Sequence, residues 1–205
     1  MEPQNPSAPG STPPNTVAAE LAAACERFVL ARYAVALDGT PETLSLLDQY
    51  VRDARPEVKE RPETLPLVQG AVGAYFGEVV RKAYPAHWVT EGEQDGWRLD
   101  FAAVYLTFNP VGAAREALLG AEAEGWHAHF EVDEAEQEAI AERLAALGSV
   151  DDEEYFLPST RFDVLESVVH ALRASMHARG LNGVTFGSDD YEPLKARPRQ
   201  PPPRR

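Results

Sequence analysis

The sequence predicts an α+β domain in which N-terminal helices, a small and mostly antiparallel sheet, and C-terminal helices pack as one unit. Two observations lead to this class. Apolar residues recur at helical spacing between residues 16 and 83 and again beyond residue 133. The stretch between them holds short segments rich in β-formers, with little of the β-α-β alternation that indicates a parallel sheet.

The first predicted helix runs from about Thr16 to Leu37, where Asp38-Gly39 ends it. Its apolar residues step by three and four positions and so share one face: Val17, Leu21, Cys25, Phe28 and Val29. Cys25 is the single cysteine, so no intrachain disulfide can form, and its place on this face predicts a small buried hydrophobe.

Two more helices are predicted before the sheet. The second has Thr40 as its N-cap and Pro41 at its first position, and Pro56 is expected to stop it after about residue 53. The third runs from about Glu63 to Ala83 and is the most apolar of the three.

Four short segments then predict strands, at residues 87–89, 96–101, 103–108 and 125–131. The turn pair Asn109-Pro110 separates the third of these from a short helix over Val111–Leu119, which Gly120 ends. Residues 182–186 predict a further edge strand near the end of the domain.

Two helices are predicted to close the fold. Asp133 and Glu136 form a capping-box pattern ahead of the first, and the acidic residues 151–154 read as a loop between the two. The second is the best amphipathic helix of the chain, with its apolar face formed by Phe162, Leu165, Val169, Leu172 and Met176.

Both ends of the sequence are rich in proline and poor in residues that a core could bury. We expect residues 1–14 to be disordered, residues 15–192 to form the single domain, and residues 193–205 to be a disordered basic tail. The tail combines five prolines with Lys195, Arg197 and three further arginines and contains no acid. It is either a solubilising end or a segment that docks on an aromatic groove or an acidic surface, including that of its own chain.

The net charge of the chain is −14, and the domain ahead of the tail is more acidic still. Nucleic-acid binding is therefore disfavoured, because contacts to phosphate need clustered basic residues. No apolar run reaches the ~20 residues that span a bilayer, and the first residues do not resemble a signal peptide. The predicted location is the cytoplasm, and the preference for arginine over lysine indicates a bacterial source.

Three glycines, Gly70, Gly73 and Gly77, form a stripe along the third predicted helix. Each costs about 1 kcal/mol relative to alanine inside a helix, so the stripe needs a reason. Close packing inside the molecule and a contact surface for a partner or ligand are the two interpretations. A phosphate-binding loop does not fit, because the spacing differs from the known motifs and no strand precedes it. Glu78 follows the stripe and predicts a partly buried structural tie.

Histidines suggest two other surfaces. His127, His129 and Glu131 would share one face of a strand and could ligate a divalent metal, or they form a solvated edge. His170 and His177 lie two turns apart on the last helix, which predicts a solvent-facing stripe or a pH-sensitive face. No triad order, nucleophile elbow or zinc-protease motif is present in the sequence. We assign no catalytic, cofactor-binding or metal residue from these patterns.

Four segments together resemble a loose group of uncharacterised bacterial proteins. These are residues 46–51 (LLDQYV), residues 73–81 (GAYFGEVVR), Trp88 and Asn109-Pro110. In the group, an LDxYL helix precedes a GAYLGEVLRR helix, a tryptophan and an NP turn. The resemblance covers about residues 44–120 and implies an α+β fold and a non-enzymatic function, with no catalytic residues to carry over.

Three hypotheses of function follow from the sequence. The first is a non-enzymatic cytoplasmic adaptor that binds another protein through an acidic body and a basic, proline-rich tail. The second is a metal-dependent enzyme or metal sensor that uses His127, His129 and Glu131. The third is a structural subunit of a homo-oligomer or a larger assembly.

Overall fold

A computed structural model describes residues 16–125, 129–148 and 150–191 of the chain. The predicted disordered ends lie almost wholly outside these ranges and stay predictions. Seven α-helices are present in the described part: α1 (Thr16–Tyr33), α2 (Leu44–Glu60), α3 (Leu65–Ala83), α4 (Pro110–Leu119), α5 (Gln137–Ala145), α6 (Asp152–Tyr155) and α7 (Pro158–Ala178). None of them has the length and apolar character that crossing a bilayer requires.

The sheet has four short strands in sequence order and every pairing is antiparallel. They are β1 (Ala86–Val89), β2 (Arg98–Phe101), β3 (Leu106–Phe108) and β4 (Phe130–Val132). The α+β class predicted from the sequence is confirmed, with three helices before the sheet and three after it. The fourth strand is shorter than predicted and begins only at Phe130.

Helix α3 lies at the centre of the fold, where its most extensive contacts are with α1 and α4. It buries twelve residues, including aromatic and aliphatic side chains on nearly every side. Helix α7 closes the core from the other end of the sequence, and its predicted apolar face is confirmed from Phe162 to Leu172.

The buried face of α1 differs from the predicted one. Val17 is 51% exposed, whereas Ala18, Ala22, Cys25 and Val29 are buried. Small residues therefore face the neighbouring helix, and they allow α1 to lie close to α3. The predicted burial of Cys25 is confirmed, and that burial raises the pKa of its thiol far above the ordinary value.

The predicted ends of the first two helices are wrong. Helix α1 ends at Tyr33, and Ala34 follows in a left-handed conformation. Helix α2 passes through Pro56 and continues to Glu60. Proline has no amide hydrogen, so the carbonyl four residues before Pro56 lacks its helical hydrogen bond. Pro56 is exposed, so that carbonyl lies on the solvent side. Val58 is buried and extends the packed face of the helix one turn further.

Thr40 lies at the predicted N-cap position with Pro41 after it, but it begins a 3₁₀ turn (Pro41–Thr43) ahead of α2 and its side chain makes no capping bond. Asp38 instead accepts hydrogen bonds from the amide and hydroxyl of Thr40 and from the hydroxyl of Thr43. Asn109, which was predicted only as part of a turn, caps α4 with its side chain, and the predicted end at Gly120 is confirmed, in a left-handed conformation.

Two segments late in the chain differ from prediction. The acidic stretch predicted as a loop forms α6, which lies against α7. Residues 182–186 form no strand, although the amide of Phe186 donates to the carbonyl of Ala102. A single bond of this kind leaves the segment beside the sheet without adding a strand to it.

Candidate functional site

The glycine stripe of α3 is a packing seam inside the molecule. A Cβ added at Gly73 would lie 2.5 Å from Cα of Val111 and 2.9 Å from the carbonyl oxygen of Pro110. A Cβ added at Gly77 would overlap the indole ring of Trp88. At Gly70 it would meet only the end of the Gln94 side chain. The stripe therefore lets α3 contact the backbone at the start of α4 through Gly73 and makes room for the Trp88 ring of β1 at Gly77.

Glu78 has the predicted structural role, and its hydrogen-bond partners are the side chains of Trp88 and Arg81. Its carboxylate accepts from Nε1 of Trp88 at 2.8 Å and from the guanidinium of Arg81 at 2.8 Å. Burial raises the pKa of Glu78, but these bonds outweigh it and the net shift is downward. The tie holds the indole of Trp88 against the glycine seam, which is a structural role.

A cleft of about 490 Å³ opens where the start of α2, the end of α3 and the outer face of α7 meet. Its lining combines three acids, two aromatic rings and a histidine: Glu42, Tyr84, Phe162, Asp163, Glu166 and His170. We call this set the acidic cleft. Asp163, Glu166 and His170 come from α7 and are separated by three and four positions, so they lie on one face of that helix.

Aromatic rings form the floor of the acidic cleft. Tyr84 stacks on Phe162 with ring centroids 6.1 Å apart and packs against Phe101 at 6.2 Å. Its hydroxyl donates to Glu166 at 3.1 Å. Burial and that bond raise the pKa of Tyr84 to about 12, so the hydroxyl remains a donor at neutral pH. The guanidinium of Arg173 lies 5.8 Å above the same ring.

The carboxylates of the cleft lack a cationic partner within the part of the chain that the structure describes. Burial raises the pKa of Asp163, and the charge of Glu166 raises it further. A cation placed between these two groups would relieve that repulsion. Chemically, the exposed carboxylates fit a guanidinium or ammonium group, whereas the Tyr84 ring beneath them is buried and already has Arg173 above it.

A hydroxyl at the rim of the cleft has a structural use. The amide and hydroxyl of Ser159 both donate to Asp48, which is buried on α2. These bonds connect α2 to the first turn of α7. Ser159 is thus a donor to a carboxylate and not a nucleophile held by a base.

The acidic cleft was not predicted from the sequence. The predicted stripe on α7 ran only from His170 to His177, although Glu166 and Asp163 continue the same helical spacing. Tyr84 and Glu42 come from other elements, and only tertiary structure brings them to this face. In the structure His170 borders the cleft, while His177 is exposed and contacts Asn182.

The predicted metal residues are only partly described. His127 lies outside the described residues, His129 precedes β4, and Glu131 lies within it. Glu131 thus lies in the strand and His129 outside it, so these two do not share the predicted strand face. Across residues 16–125, 129–148 and 150–191, no three His, Cys, Asp or Glu side chains are grouped in a way that could hold a metal ion.

A buried ion pair joins α4 to α7. The guanidinium of Arg161 donates to Glu116 at 2.6 Å, and both side chains are almost fully buried, at 6% and 2% exposure. Arg161 also lies 4.3 Å under the ring of Tyr155 on α6. The pair fixes the inner face of α7, so the outer face is left for contact.

Residues 2–99 match the model of DUF6278, a family of unknown function. The match reaches through α3 and β1 into β2 and covers just under half of the chain. It shares residues 44–99 with the resemblance described from the sequence, and both point to an uncharacterised domain. No curated protein and no solved structure matches the chain.

Proposed function

We propose that this protein is a non-enzymatic adaptor of the bacterial cytoplasm, and that its acidic cleft binds a basic, proline-containing segment of another protein. The observation that carries the proposal is the composition of the cleft. Three exposed carboxylates lie around a buried pair of stacked aromatic rings, and neither Asp163 nor Glu166 takes part in an ion pair among the described residues.

The chemistry of the cleft favours arginine and proline in the ligand. A guanidinium can bond a carboxylate with two parallel N–H groups and can stack on an aromatic ring. Proline-rich segments bind aromatic grooves because their extended helix is already formed before binding. The acidic surface of the whole domain would also speed the approach of such a segment at low salt.

The test uses the full-length protein and a fluorescent peptide in which arginines alternate with prolines. Fluorescence anisotropy gives the dissociation constant for the native protein and for the variant E42Q/D163N/E166Q. We expect the variant to bind about tenfold more weakly, since each lost contact to an exposed carboxylate is worth about 0.5 kcal/mol and three are removed.

A matched control removes three charges elsewhere. The variant E134Q/E138Q/E142Q changes exposed acids around α5 and removes the same number of negative charges. We expect it to bind the peptide as the native protein does. Equal weakening in both variants would show attraction to net charge alone, and absence of binding to the native protein would contradict the proposal.

A further inference from the structure

Helix α1 is apolar on almost every side, although it buries only one side against the domain. Its 18 residues include just four charged ones, which are Glu20, Glu26, Arg27 and Arg32. Helices of this composition are typically buried all round, as α3 is. The solvent side of α1 instead leaves Val17 51% exposed and Leu30 49% exposed. This side therefore has the composition of a surface that another helix covers.

Two opposite charges lie at the middle of the solvent side of α1. Glu20 and Arg27 are both exposed, and because they are seven residues apart, about two helical turns, they project from the same face. Neither takes part in an ion pair among the residues that the structure describes. Between them lie Ala23 and Ala24, whose small side chains permit a second helix to approach closely.

This face of α1 is complementary to itself when two copies lie antiparallel. A two-fold axis between Ala23 and Ala24 places each residue opposite the one that lies equally far beyond the axis. Glu20 of one copy then meets Arg27 of the second copy, and the same pair forms again on the other side of the axis. A parallel pair of helices would instead bring like charges together, which is unfavourable. The charges thus select a second copy of this chain in one orientation.

The antiparallel pair also covers the exposed apolar side chains. Val17 and Leu30 lie equally far from the axis, so they flank the two ends of the contact in both copies. Burying the exposed half of each side chain contributes about 1 kcal/mol. One pair of helices buries less than the roughly 800 Å² per partner of a standard interface, so we expect a weak dimer with a dissociation constant in the micromolar range.

We propose that α1 is the interface of an antiparallel homodimer, in which Glu20 of each copy forms an ion pair with Arg27 of the other. The described lining of the acidic cleft contains no residue of α1, so the dimer leaves both clefts open. The inference goes beyond the proposed function and does not rest on it.

The first experiment exchanges the two charges in the full-length chain. Sedimentation equilibrium at several concentrations compares the native protein with E20R, R27E and E20R/R27E. Each single variant puts two like-charged pairs into the dimer, so we expect the dissociation constant to rise about tenfold or more. The double variant restores opposite charges and should recover the native value. The control E138R makes the same charge change on the exposed side of α5 and should dimerise as the native protein does.

Several results of this experiment would overturn the proposal. One is a native chain that stays monomeric at every concentration up to about 1 mM. Another is a dimer whose dissociation constant is the same in both single variants as in the native protein. A double variant that dimerises no better than the single variants would also overturn it, because the two charges would then not face each other.

The second experiment locates the axis with substitutions that keep the charges. In A23C the new thiol lies beside its symmetry mate. In A19C the two thiols lie about 13 Å apart along the helices, beyond the about 7 Å between Cα atoms that a disulfide allows. Ala19 and Ala23 are both half-buried, and the native Cys25 is buried.

Under mild oxidation we expect A23C to form a disulfide-linked dimer and A19C to remain monomeric on a non-reducing gel. Equal cross-linking of the two variants, or none in A23C, would overturn the antiparallel arrangement. This measurement stands even where a charge variant fails to fold, because each cysteine replaces an alanine at a position that keeps partial access to solvent.

Discussion

Helices α3 and α7 have similar lengths but opposite surfaces. Helix α3 is buried on nearly every side, and its glycines bring neighbouring backbone into contact. Helix α7 buries one face and exposes Asp163, Glu166 and His170 on the other. Residue choice in α3 is thus explained by packing, whereas the exposed acids of α7 contribute little to the core. Contact with a partner is to be sought on α7.

The largest expected effect tests whether the buried face of α7 is as important for the stability of the fold as helix α3. Replacing Arg161 by methionine leaves the carboxylate of Glu116 buried without its charged partner. We expect a loss of about 3–5 kcal/mol in the free energy of unfolding. Urea denaturation measures the loss, and the double variant R161M/E116L should recover most of it. A loss below about 1 kcal/mol in the single variant would contradict this role.

The second effect tests the glycine seam of α3. In Gly73→Ala the new methyl group meets the backbone of Val111, which cannot move away cheaply. We expect overpacking to outweigh the gain in helix propensity, with a net loss of about 2 kcal/mol in urea denaturation.

Gly70→Ala is the matched control, because its methyl group meets only the flexible end of Gln94. It should stay within about 1 kcal/mol of the native protein and can exceed its stability, since alanine favours the helix. Equal losses in the two variants would show that the seam is not set by backbone contact at Gly73.

The third effect concerns Glu78, whose contribution to the free energy of unfolding should depend on pH in a stated direction. Its pKa is lowered in the folded protein, so its bonds stabilise the fold above the ordinary glutamate range and are lost as the pH falls through the folded value. Glu78→Gln should cost about 1 kcal/mol at pH 7. The difference from the native protein should shrink towards pH 3, and a difference that grows on acidification would contradict the assignment.

The smallest expected effect on stability concerns the exposed acids of the cleft. The variant E42Q/D163N/E166Q alters only the outer acids and the rim of the cleft, so its unfolding free energy should lie within about 0.5 kcal/mol of the native value. Thermal and urea denaturation measure this. A loss above about 2 kcal/mol would show that these acids serve the fold, and the peptide experiment would then lose its basis.

Helical spacing and turn residues were enough to place most elements. The periodic apolar residues of α7 and the stop at Gly120 are local signals, and each is confirmed. Errors arose where distant packing overrides a local rule. Pro56 does not end α2, because the ring faces solvent and the buried side of the helix continues past it.

The candidate site was less predictable than the fold, because its parts are far apart in sequence. Glu42, Tyr84 and Glu166 come from three segments, and no local pattern connects them. The glycine stripe was visible from the sequence, but its partner surface on α4 and Trp88 was not. The part of the cleft that α7 supplies was predictable, because Asp163, Glu166 and His170 follow helical spacing.

By itself, the sequence determined the class of fold, the order of most of its elements, the acidic body and the basic tail, because these follow from local spacing and from composition. The tertiary structure decided that the glycines are packing positions and that acids from separate elements surround an aromatic floor. The physical reason is that burial and charge proximity depend on which surfaces meet, and helices far apart in the chain meet only in the folded molecule.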